Sequence, residues 1–101
     1  MKIDDLLSLG NFSADGPVKT DVLRSEKLNL VLICLETNHE IAPHPEPYAV
    51  LFLVLEGEGV FTSSEGSFGL RRGSAIFIEK DEIRGMMCLD RMIVLGVQDG
   101  H

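Results

Sequence analysis

The feature that most constrains this chain is its rhythm. From residue 18 onward, short apolar or alternating runs follow one another: residues 18–24, 28–36, 49–56, 59–63, 68–71, 75–79, 84–89 and 92–97. Turn-forming groups separate many of them, namely Gly57-Glu58-Gly59, Ser64-Glu65-Gly66, Arg72-Gly73 and Lys80-Asp81-Glu82, with Asp15-Gly16-Pro17 ahead of the first. Runs of that length, rich in β-branched and aromatic residues and punctuated this closely, are strands of an all-β sandwich or barrel. Eight short strands joined by tight turns favour closure, which removes unpaired edges. One helix is expected, over residues 3–9, where Ile3, Leu6 and Leu7 fall at i, i+3 and i+4 and Gly10 can end it. With 101 residues there is material for one core, hence one domain: helix and arm 1–17, barrel 18–98.

Residues 49–55 are apolar at every position, unlike a strand with one solvated face. If Val50, Phe52 and Val54 line the interior, then Leu51, Leu53 and Leu55 must pack against a second sheet, the N-terminal helix or another subunit. The last option predicts a homodimer.

Charge restricts the partners. Nine Lys and Arg against sixteen Asp and Glu give a formal net charge of −7, which disfavours nucleic acid and anionic lipid, since both bind through basic patches. No run approaches the roughly 18 apolar residues of a membrane span. The acidic start Met1-Lys2-Ile3-Asp4-Asp5 is unlike a secretory signal. Cys34 and Cys88 sit singly inside apolar runs, as reduced buried thiols do, although a disulfide between them stays open. A cytoplasmic location is therefore expected.

One compositional island stands out, Ala42-Pro43-His44-Pro45-Glu46-Pro47-Tyr48, with three prolines in five residues. Proline fixes φ and biases its predecessor toward extended backbone, so the island reads as a stiff lead-in to the next strand. Residues 44–57 and then 73–84 resemble the two motifs of the cupin superfamily. The first motif, HxH followed by Glu and Gly, is matched by His44, with Glu46 in the second histidine's place, an aliphatic Val50 or Leu51 in the glutamate's, and Gly57. Val54-Leu55-Glu56-Gly57-Glu58-Gly59 is similar to the hairpin closing this motif in many small cupins. In the second motif Gly73 matches, and Arg84 stands where the last histidine is expected. The resemblance implies a double-stranded β-helix, or jelly-roll, barrel with a site inside it.

The family's usual divalent transition metal is not favoured by these residues. His44 and Glu46 supply two donors, His39 a candidate third, and Arg84 remains protonated and cannot donate a lone pair. Alternation along an extended chain puts His44, Glu46 and Tyr48 on one face, into the barrel. Arg84 then offers a fixed positive charge and a planar fork for a carboxylate or phosphate, with His44, Glu46 and Tyr48 as further ligand contacts. An equally open reading is a buried Glu46–Arg84 ion pair that leaves no charge for a ligand. His101, as the terminal residue, is expected to be inert, and Met86, Met87 and Met92 to be core.

Three functional readings follow. The leading one is a small-molecule-binding protein that takes a small organic anion or metabolite without a metal. The second is a metal-dependent cupin enzyme, an isomerase, epimerase or dioxygenase, using His44 and Glu46. The third is a structural or partner-binding barrel filled by Phe52, Phe61, Phe68, Phe77 and methionines.

Overall fold

The computed structural model describes all of residues 1–101. Seven strands follow a single 3-10 turn at Leu6–Leu9: β1 Val18–Arg24, β2 Leu28–Leu35, β3 Glu40–Pro45, β4 Val50–Ser63, β5 Gly66–Arg71, β6 Ala75–Ile78 and β7 Ile83–Asp99. All pairings are antiparallel.

The helix expected over residues 3–9 contracts to that one turn. A stretch so short cannot recover the cost of helix nucleation, and Asp5 caps no backbone N–H with its side chain. Two pairs of expected strands also merge, 49–56 with 59–63 into β4 and 84–89 with 92–97 into β7. The glycines at 57 and 59 do not make a hairpin. They make a bulged bend, where the β4–β7 register slips three times between Val54 and Gly59. Gly57 adopts φ 77° there, and a Cβ on it would lie 2.0 Å from the Arg91 carbonyl oxygen. Glycine is required because the bends of β4 and β7 meet backbone to backbone. The proline island supplies a strand rather than a lead-in alone. Pro43 and Pro45 are tolerated because β3 is an edge, paired only to β7.

These bends give the long strands two roles. The first half of β7 pairs with β3 and the second half with β2, while β4 pairs with β6 through its first half and β5 through its second. One wall of the barrel is thus β1, β2, late β7, early β4 and β6, and the facing wall is β3, early β7, late β4 and β5. Phe52 on the first meets Phe61 on the second, ring centroids 5.9 Å apart. Around them Ile33, Leu35, Val50, Val54, Leu70, Ile78, Cys88, Met92 and Val94 complete the core.

As the alternation requires, Val50, Phe52 and Val54 face inward. On the outer side a smaller cluster of Leu32, Cys34 and Ile93 is covered by Leu6 and Phe12 of the N-terminal arm, with Leu55 beside it. Arg91 holds the arm, its guanidinium carbon 3.6 Å from the Phe12 ring centroid and its Nε 2.7 Å from Glu36. The two cysteines lie in these separate clusters and are both free, so no disulfide joins them.

Candidate functional site

Strand register decides which polar side chains look into the barrel. On the facing wall, His44 pairs with Arg84, and Ser63 lies opposite Arg84 on its other side. On the first wall, Lys19 lies opposite Ile33 and Asp21 opposite Val31, both inward positions. A bulge between Asp21 and Leu23 then resets the alternation and brings Arg24 opposite Asn29, inward as well. Between the walls is a cavity of about 190 Å³, bordered by Val31, Ile33, Ile41, Phe52 and Met86 and carrying Lys19, Asp21, Arg24, His44, Tyr48, Arg84 and His101 at its polar surface.

Arg84 is its most constrained member. The residue is 4% exposed, yet no carboxylate pairs with it. Its Nε and Nη2 donate to the carbonyl of Glu82, and Nη2 also to those of Glu79 and Glu46, at 3.1–3.4 Å. Nη1 is buried without any partner. The loop before β7 and the connection between β3 and β4 therefore wrap around the guanidinium, satisfying its hydrogen bonds in part and neutralising its charge not at all. Unpartnered buried donors are rare because each costs about 1–3 kcal/mol.

Glu46 enters differently from expectation. Its carbonyl serves Arg84, whereas its carboxylate pairs with His44, Oε1 to Nε2 at 3.2 Å. The buried Glu46–Arg84 ion pair does not form, and Glu46 is not among the residues bordering the cavity. His44 Nδ1 donates to the Ala42 carbonyl at 2.9 Å. Both of its partners are acceptors, so the ring is fully satisfied when each nitrogen carries a proton.

Tyr48 bridges two groups. Its ring centroid lies 5.1 Å from the Arg84 guanidinium carbon, and its ring stacks on His101 with centroids 4.2 Å apart. Burial, and next the Glu46 carboxylate, push its phenol above the ordinary tyrosine range, while Arg84 and Arg24 pull it back. The hydroxyl accordingly stays protonated, able to donate to an acid. His101, expected to be inert, instead stacks on Tyr48 and places Nδ1 beside both Asn29 Nδ2 and the Asp99 carbonyl, accepting from the first in one tautomer and donating to the second in the other.

The donor set does not fit the divalent ion that the cupin resemblance implies. His44 and Glu46 engage each other, and a buried guanidinium sits directly across from His44. His39 is occupied at both ring nitrogens, by the Glu36 N–H and the Ala14 carbonyl, and is not part of the cavity. Nowhere do three or more His, Cys, Asp or Glu side chains gather. The interior is not packed with phenylalanine either: Phe68 is 44% and Phe77 53% exposed.

Lys19, Asp21 and Arg24 were not singled out by sequence. Alternation on β1 marks one polar face, and that pattern does not distinguish a cavity wall from a solvated surface.

A model of the family described as AraC-like ligand binding domain matches residues 30–86. The chain belongs to this family. The sequence matches no curated protein. Among solved structures, this AraC-like domain is similar to an RmlC-like cupin protein from Desulfovibrio desulfuricans, with 24% identity, TM-score 0.89 and coverage of 98% of this chain and 96% of that one. It is likewise similar to a protein from Thermus thermophilus, with 24% identity, TM-score 0.91 and coverage of 99% and 98%. The salicylate 1,2-dioxygenase of Pseudaminobacter salicylatoxidans shares 16% identity and TM-score 0.79 over 85% of this chain but only 27% of its own. At these identities the likeness establishes the cupin double-stranded β-helix and nothing finer. The family match takes in His44, Glu46, Tyr48 and Arg84 and stops short of β1, Gln98 and His101.

Proposed function

We propose that this domain binds a small organic anion between the two walls of the barrel, as a sensor, carrier or accessory subunit. Arg84 is the anchor, Tyr48 and His44 are further contacts, and Glu46 acts through His44 rather than on the ligand. One observation carries the reading: a buried guanidinium bordering a cavity, with no carboxylate and with Nη1 unpartnered. A bound carboxylate supplies the missing countercharge, and charge-assisted bonds of that kind are the strong ones. Charge around the cavity agrees. It carries three permanent cations and a single acid, in a chain whose net charge is −7. We further propose a homodimer covering the half-buried apolar outer face around Leu30, Leu51, Leu53 and Val97, and two unpaired thiols suit a cytoplasmic setting. Light scattering with size-exclusion chromatography checks the dimer.

The anion reading is tested by thermal melts against a panel of carboxylic acids. Wild-type protein should be stabilised in proportion to the logarithm of ligand concentration above Kd. Arg84→Met should abolish the response and Arg84→Lys, which keeps charge but loses the fork, should retain part of it. A folded Arg84→Met protein with the full response would sink the proposal, as would near-stoichiometric transition metal whose retention depends on His44.

A further inference from the structure

The cavity's cations are not gathered at one point. Arg84 belongs to the wall made by β3 and early β7, and Lys19 and Arg24 to the opposite wall, on β1. Their accounts differ. Arg24 is matched by Asp21, Nη1 to Oδ2 at 3.2 Å. Lys19 takes part in none of the chain's ion pairs, and Arg84 in none either. What remains is one uncompensated cation on each of two facing walls, an ammonium and a guanidinium, with Val31, Ile33, Phe52 and Met86 between them. Both are long side chains directed inward from sheets that pack about 10 Å apart.

We infer that the ligand is a dianion, a short dicarboxylate whose one acid group meets Arg84 and Tyr48, whose other meets Lys19, and whose carbon frame lies on the apolar residues between. This rests on the anion reading above and adds to it the second acid group. A monoanion at Arg84 leaves Lys19 unmatched, and a neutral ligand leaves both. The two ends differ in kind. Arg84 is buried and presents a planar fork, whereas Lys19 is exposed and offers a point charge that water and salt screen. The inner acid therefore supplies most of the affinity, and the outer one selects dicarboxylates over monocarboxylates. β1, which carries Lys19, lies outside residues 30–86, the span that the family model matches.

Calorimetric titration with matched pairs of acids tests the inference: succinate against butyrate, glutarate against valerate, phthalate against benzoate. In at least one pair the dicarboxylate should bind about tenfold more tightly, equivalent to roughly 1.4 kcal/mol, and Lys19→Met should erase that preference. If wild-type protein binds both members of every pair equally, or if Lys19→Met keeps the preference, the dianion inference is overturned while the anion site stands. If folded wild-type protein binds none of the six acids, both readings fall.

Discussion

The barrel has a packed end and an open end, and the same strands build both. At the packed end Phe61 of β4 and Cys88 and Met92 of β7 are fully buried, joined by Leu35 and Leu70. A few residues away on the same strands, β4 carries Phe52 and β7 carries Arg84, Gly85 and Met86 to the cavity. The side chains of the packed end meet mainly through apolar contact, which is non-directional and tolerates hydrophobic side chains of suitable volume. At the open end one guanidinium makes directional bonds to three backbone carbonyls, a geometry that other side chains reproduce poorly. Stability should thus concentrate at the first and ligand selectivity at the second.

Mutations can break that division. Phe61→Ala, at a site with no exposure, should cost about 3–5 kcal/mol by denaturant unfolding. Arg84→Met should cost less, roughly 1–3 kcal/mol, because three carbonyls lose a donor while the orphaned Nη1 disappears with it. If Arg84→Met proves the more destabilising of the two, the open end is structural and the division fails.

Alkaline pH sharpens it further. Burial raises the thiols of Cys34 and Cys88 and the phenol of Tyr48 above their ordinary values. A group raised in the folded state contributes stability that is complete below its ordinary value and is lost as pH rises through the raised one. Melting temperature should therefore fall through the alkaline range in which thiols and phenols ionise. Tyr48→Phe should flatten that fall modestly, whereas thiol alkylation at neutral pH should follow global unfolding, because both cysteines are buried in packed clusters. The smallest effect is expected at the exposed edge: Lys19→Met should change unfolding free energy by less than about 0.5 kcal/mol, and a larger loss would mean that Lys19 is structural.

Much of this architecture is legible residue by residue. The ends of β1, the inward set Val50, Phe52 and Val54 and the hairpin at Ser64 and Glu65 all follow from local alternation and turn chemistry. The bends are not legible in the same way. Gly57-Glu58-Gly59 has the composition of a turn, and only the approach of the Arg91 carbonyl shows that the strand continues through it. For the site, Arg84, His44 and Tyr48 border the cavity, and the Glu46 carboxylate meets His44 rather than Arg84. Sequence alternation specifies a shared face, not which of two acceptors, a carboxylate or a carbonyl, a neighbouring cation meets.

By itself the sequence determined the class of fold, one barrel of short antiparallel strands, and the presence of an arginine where relatives are expected to place a metal ligand. Those are consequences of local periodicity and residue chemistry, which act over a few positions. Tertiary structure alone decided that Arg84 is enclosed by three carbonyls, that Glu46 pairs with His44, and that Lys19 shares a cavity with Arg84 from sixty-five positions away. Those depend on how two bent strands bring facing walls together, and long-range register is not written in any single stretch of chain.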